Sequence, residues 1–187
     1  MGLGHAVRQV KTQIGDNAFA VILPDDVIKA EKGALAQMVD AHRDLGGHIV
    51  AAMDVPLCDI SKYGVLDVTS ENDRVSWVRG LVEKPRAGLA PSTKAVIGRY
   101  ILDSSIIDRL DALRPGASGE LQLIAAINAD VSDVGVCGFT YDGQRFDCGS
   151  VQGYVQATSA FALDRADLQD DYASYLRDAR QPLRLVA

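Results

Sequence analysis

Glu83 and Lys84 stand side by side at the end of an apolar run, Gly80-Leu81-Val82, and Pro85 stops that run. On a strand, neighbouring side chains point to opposite faces. At a strand tip that opens into a loop, both can reach one ligand. A carboxylate accepts hydrogen bonds from sugar hydroxyls, and a lysine ammonium holds a phosphate as a point charge. The pair therefore suits a sugar phosphate; the plainer reading is a surface charge pair before a turn. Asp25 and Asp147 are the metal candidates. Two carboxylates at strand ends can share one Mg²⁺ and leave positions for water and phosphate oxygens. Such a metal offsets phosphate charge and assists in-line attack on a nucleotidyl phosphorus. Asp25, after Pro24, also reads as a helix N-cap or turn residue. Asp147, before Cys148-Gly149-Ser150, also reads as an Asx turn.

The elements that must carry these residues follow from periodicity. Ala6, Val7, Val10 and Ile14 fall at helical spacing from Gly4 to about Ile14. Phe19 to Leu23 is an unbroken apolar run ending at Pro24, the pattern of a strand buried on both faces. A helix is predicted from about Gly33 to Leu45, closed by Gly46-Gly47, and a buried strand from His48 to Met53. Gly64 to Val68 and Arg74 to Val78 predict antiparallel strands joined by a polar turn at Ser70 to Asp73. The Glu83-Lys84-Pro85 strand follows, then a loop from Ala87 to Ser92 and a strand from Ala95 to Leu102. Asp103 or Ser104 can cap a helix from Ser105 to Leu113. A loop over Pro115 to Gly119 leads to a helix from Glu120 to Asn128. Val134 to Tyr141 and Arg145 to Asp147 predict a hairpin around Asp142-Gly143. Gly153 to Leu163 predicts a helix, with a polar helical tail to about Arg180. Early alternation of strands and helices predicts one α/β domain with a mixed, mostly parallel sheet and a helical tail from about 153. In such sheets ligands sit beyond the carboxyl ends of the strands. Asp25, Glu83-Lys84 and Asp147 all fall at predicted strand ends, which predicts one crevice.

The totals narrow the class. The chain has 187 residues, 48% of them hydrophobic and 24% charged, enough for one domain with a core. A net charge of −6 gives no basic footprint for nucleic acid or an anionic membrane. Any phosphate must be held by local groups: Lys84, backbone amides or a metal. No apolar run approaches the roughly 20 residues of a bilayer span. No signal peptide or myristoylation pattern is visible at Met1-Gly2-Leu3-Gly4-His5. Three cysteines without a C-x-x-C argue for reduced thiols in a cytoplasmic protein. Gly2-Leu3-Gly4-His5-Ala6 leads into a helix and lets backbone approach a ligand closely. His5 reads as packing or capping, and His42 and His48 lack ligand spacing.

Taken in order, these segments resemble bacterial UTP–glucose-1-phosphate uridylyltransferases. The resemblance rests on Gly2-Leu3-Gly4-His5-Ala6-Val7, Phe19 to Asp26, Tyr63-Gly64-Val65-Leu66, Leu81 to Pro85, Ala95 to Tyr100, Gly119 to Leu123, Phe146 to Ser150, and Gly153-Tyr154. It implies a Rossmann-like nucleotide-diphospho-sugar transferase fold. It also implies the reaction of UTP and glucose 1-phosphate to UDP-glucose and pyrophosphate with Mg²⁺, and a homo-oligomer. By position, Asp25 and Asp147 match the metal aspartates, Glu83 the glutamate on the sugar hydroxyls, and Lys84 the lysine on the sugar phosphate. Gly64 matches the glycine against the sugar, and Gly4 the region near the uracil.

The sequence also departs from that family. The family opens with a strand and a Gly-x-Gly-Thr-Arg loop that cradles the triphosphate, and no such sequence occurs here. An N-terminally truncated fold is therefore expected, with strand edges unpaired and apolar surface exposed. Ile124-Ala125 stand where the family has Thr-Asp, and Val151 where a Lys is common. Besides the transferase, these departures leave two further readings: a remnant that binds sugar nucleotide or only assembles with subunits, and a nucleotidyltransferase for another base or sugar.

Overall fold

The structure is a computed structural model and describes residues 1–116 and 119–179. Ala117 and Ser118 of the expected loop, and the expected helix end at Arg180, lie outside the described residues. In chain order the elements are α1 (Gly2–Arg8), α2 (Lys11–Ile14), β1 (Phe19–Ile22), β2 (Asp26–Lys29), α3 (Ala34–Leu45) and β3 (His48–Asp54). Then come β4 (Gly64–Asn72), β5 (Val75–Glu83), β6 (Lys94–Leu102), α4 (Ile106–Ala112), α5 (Leu123–Ala129), β7 (Val136–Thr140), β8 (Gln144–Asp147), α6 (Val151–Asp164) and α7 (Gln169–Ala179). The described residues divide into two compact units: Met1–Pro24 with Ala30–Gly143, and Asp25–Lys29 with residues 144–179.

In the larger unit, the described residues form a six-stranded sheet in the order β1-β6-β3-β7-β5-β4. The sheet is mixed, as expected. Its parallel share is smaller than the sequence suggested: β3–β7 is parallel, while β1–β6, β3–β6, β4–β5, β4–β6 and β5–β7 are antiparallel. β3 is central and its first five residues are buried, as the apolar run predicts. β1 is not buried on both faces. It pairs with β6 alone, its burial alternates, and Ile22 is 50% exposed. The Leu23 N–H donates to the Gly98 carbonyl, and the Arg99 guanidinium donates to the Leu23 carbonyl, fixing the chain before Pro24.

The helices cover the sheet with Val7 of α1, Ile106, Ile107 and Leu110 of α4, and Leu123, Ala126 and Ile127 of α5. The single helix expected from Gly4 to Ile14 is broken at Gln9-Val10. α5 starts later than expected because the Leu121 backbone is used elsewhere: its carbonyl accepts from Gly4 N–H and its N–H donates to the Met1 carbonyl. The Glu83 segment is not a separate strand, since β5 runs unbroken from Val75 and pairs with β4 as far as Gly64. β7 and β8 are not a hairpin: β7 joins the large sheet and β8 pairs with β2, with the division between the units at Gly143 and Gln144.

A buried polar cluster ties three elements of this unit. His48, at the start of β3, and Asp130, just past α5, are both fully buried. The Asp103 N–H donates to His48 Nδ1 (3.0 Å), so Nε2 carries the proton and donates to Asp130 (3.0 Å). Arg109 of α4 donates to the other Asp130 oxygen and to Asp133. The Asp103 carboxylate accepts from the Ser105 N–H ahead of α4, which holds its carboxyl below the usual range.

The smaller unit contains the antiparallel pair β2–β8 and helices α6 and α7. Ser150 caps α6, its hydroxyl accepting from the Gly153 N–H (3.0 Å). Phe146 of β8 packs on Phe161 of α6 with ring centroids 6.4 Å apart, and Lys29 pairs with Asp164. Among the described residues no helix is long and apolar enough to cross a membrane.

The buried cluster makes a stability prediction. Asp130→Ala removes the acceptor of the buried His48 Nε2–H, while half-exposed Arg109 can return to water. Denaturant unfolding is expected to show a loss of about 2 kcal/mol with an unchanged m-value.

Candidate functional site

The Glu83-Lys84 tip is built by a backbone reversal. Lys84 has φ 45°, in the left-handed region that non-glycine residues rarely adopt. Its N–H donates to the Tyr63 carbonyl (3.0 Å), which anchors the turn just beyond the β4–β5 ladder. The positive φ breaks the alternation of the strand. Lys84 Nζ lies 3.9 Å from Glu83 Oε1 instead of projecting from the opposite face. Acid and base are thus presented together, Glu83 half-buried and Lys84 exposed.

Gly64 lies opposite Glu83 in the ladder and is buried. A Cβ at position 64 would lie 3.3 Å from Glu83 Oε2 and 3.3 Å from Ile124 Cδ1 of α5. The glycine therefore leaves room for the glutamate carboxylate, with Ile124 behind it. The roles of Ile124 and of the Tyr63 carbonyl arise from contacts across the fold, which the residue order alone does not specify.

The carboxylates of the smaller unit also converge. The β2–β8 register sets Asp26 opposite Asp147, and the Cys148 N–H donates to the Asp25 carbonyl (2.7 Å). Asp26 is buried and paired with Arg145. Asp25 and Asp147 are exposed. A Cβ at position 149 would lie 3.1 Å from Asp147 Oδ1 and 3.3 Å from Asp25 Oδ2, so both carboxylates close in on Gly149, which leaves them room. Asp147 Oδ1 accepts from the Gly149 N–H (3.2 Å), the expected Asx turn, which leaves its second oxygen for another partner. The N-cap reading of Asp25 does not hold, since strand β2 follows it.

This donor set fits a hard divalent cation. Mg²⁺ is typically bound by one or two carboxylates together with waters and substrate phosphates. Among the described residues no group of three or more His, Cys, Asp or Glu forms a fuller cage. Gly4 is buried in the larger unit: its N–H donates to the Leu121 carbonyl (2.9 Å), and a Cβ there would lie 2.7 Å from that oxygen. Its glycine is required by close packing of α1 on the Leu121 segment.

The chain matches the family model for nucleotidyl transferases over residues 1–163. It is 35% identical to the UTP–glucose-1-phosphate uridylyltransferase of Staphylococcus haemolyticus over 177 residues, 95% of this chain and 62% of the relative. It is 41% identical to the protein of the same name from Komagataeibacter xylinus over 149 residues, 80% of this chain and 52% of the relative. A UDP-glucose pyrophosphorylase complexed with UDP-glucose superposes with a TM-score of 0.82 at 37% identity, covering 88% of this chain and 63% of that one. The UTP-bound enzyme from Acinetobacter baumannii gives a TM-score of 0.85 at 31% identity, covering 96% and 62%. The chain therefore spans less than two thirds of the length of these relatives.

The reversal at Lys84 is open to a direct test. On a regular strand glycine is the less stable choice against alanine. At φ 45° the order inverts, and Lys84→Gly is expected to be more stable than Lys84→Ala by about 1 kcal/mol in chemical unfolding. The ordinary order would mean that Lys84 is not held in the left-handed region.

Proposed function

The chain belongs to the nucleotidyl transferase family, and from that membership we propose that it serves uridylyl transfer, forming UDP-glucose and pyrophosphate from UTP and glucose 1-phosphate. The observation that carries the reading is the reversal at Lys84, which turns its ammonium to the Glu83 side. One group for sugar hydroxyls and one for a phosphate then face a single ligand. The names and bound nucleotides of the relatives support the choice of substrates.

In this reading Lys84 holds the phosphate of glucose 1-phosphate and Glu83 accepts hydrogen bonds from the glucose hydroxyls. A phosphate oxygen of the sugar phosphate attacks the α-phosphorus of UTP. The bond from that phosphorus to the bridging α–β oxygen breaks, and pyrophosphate leaves with the electron pair. The chain supplies position and charge, with no covalent enzyme intermediate. Asp25 and Asp147 would hold Mg²⁺, which when bound neutralises phosphate charge. Gly64 leaves the space that the Glu83 carboxylate occupies, and Gly4 supports the nucleotide side through α1. A cytoplasmic homo-oligomer belongs to the same reading, and the exposed Val151, Tyr154 and Val155 of α6 are surface that assembly would cover.

Sugar-nucleotide binding without turnover is the second reading, which the Glu83–Lys84 tip by itself supports. Pyrophosphate release with UTP, glucose 1-phosphate and Mg²⁺ separates the two. The transferase reading expects release that falls by at least about 100-fold in Asp147→Asn and in Lys84→Ala. Calorimetric binding of UDP-glucose without release would select the second reading. Equal UDP-glucose affinity in Lys84→Ala would remove Lys84 from the site.

A further inference from the structure

The tip that presents Glu83 and Lys84 has a weakly paired side. β7 pairs with β5 only at Val75, Ser76 and Trp77. Beyond that point β5 carries an extra residue, Arg79, against the Asp67–Val68 step of β4, a bulge that interrupts the ladder locally and bends the strand ahead of its last residues. Where β7 has left the strand, the Leu81 N–H donates to Asn128 Oδ1 at 2.7 Å. A Cβ at position 80 would lie 3.2 Å from the same oxygen, so Gly80 lets the side chain come this close. Asn128 lies on α5 one turn after Ile124, and positions four apart share a helix face. That face backs both strands: Ile124 lies behind Gly64, and Asn128 holds Leu81.

We propose that Asn128 is a positioning residue: through the Leu81 amide it fixes the final residues of β5, so that Glu83 and Lys84 stay directed at one ligand. The proposal rests on the sugar-phosphate reading of those two residues. Asn128 acts through Leu81, in the role that a strand carbonyl of β7 would have had.

The test uses the full chain with Asn128→Ala, which removes the acceptor, and Asn128→Asp, which keeps an oxygen at that position. Amide hydrogen exchange on the unliganded protein is expected to rise about tenfold or more at 81–84 in Asn128→Ala, with Val75 to Trp77 unchanged. Asn128→Asp is expected to stay within about twofold of the unsubstituted chain. Affinity for glucose 1-phosphate is expected to fall about tenfold in Asn128→Ala, with a clearly smaller further loss when it is added to Lys84→Ala. Unchanged exchange at 81–84, or losses that simply add to those of Lys84→Ala, would overturn the positioning role. Failure of the unsubstituted chain to bind glucose 1-phosphate would overturn the reading of Glu83 and Lys84, and the positioning role with it. Binding by that chain with unaltered affinity in Asn128→Ala would overturn the inference alone.

Discussion

The left-handed backbone at Lys84 is the constraint on which the larger unit's site depends. Without it, strand alternation would send the ammonium and the Glu83 carboxylate to opposite faces. A non-glycine residue in this region costs of the order of 1–2 kcal/mol and persists only where its surroundings impose it. Here the Lys84 N–H is taken by the Tyr63 carbonyl, and the preceding residues are paired with β4 back to Gly64. The strain sits at one residue and the ladder beside it holds the geometry. Gly64 and Ile124 complete the arrangement by leaving space for one carboxylate oxygen and filling the space behind it.

The smaller unit solves a related problem with ordinary strand geometry. Antiparallel register sets Asp26 and Asp147 opposite each other, but Asp26 is buried against Arg145 and its charge is already matched. The next carboxylate along, Asp25, is the exposed partner that borders Gly149 together with Asp147. Burial and ion pairing thus separate two adjacent aspartates into a structural one and a ligand candidate. The Asx turn at Asp147 and the capping of α6 by Ser150 fix the loop carrying the second carboxylate. Turn chemistry and ligand chemistry share this residue because a carboxylate has more acceptor sites than one N–H can use.

Away from the site, the fold relies on a polar cluster built on the fully buried His48 and Asp130. His48 and Asp130 would be costly alone, but each polar atom in the pair has a partner: the Asp103 amide, the imidazole Nε2–H and the Arg109 guanidinium. The cluster fixes the end of α5 against β3 and α4. α5 is the helix that backs the β4–β5 tip, so the buried polar cluster and the exposed tip share one support.

Much of this was legible in the residue order. The apolar run at His48, the closing glycines of α3, the strand at Ala95 and the Asx turn at Asp147 follow from local chemistry. Glu83, Lys84, Asp25 and Asp147 stood out because carboxylates and an amine at strand ends suggest phosphate chemistry. Local pattern misled where pairing decides. The apolar Phe19–Ile22 run became an edge strand, and β7 and β8 found different partners despite a turn signal at Asp142-Gly143. Nothing local distinguishes a strand paired on one side from one paired on both. The sequence by itself determined which groups are available and roughly where each strand ends. Only the tertiary structure decided that Lys84 turns to the Glu83 side, that Asp26 is consumed by Arg145, and that Asn128 reaches Leu81. Each of those depends on hydrogen bonds or ion pairs between distant segments, and no sequence window contains both partners.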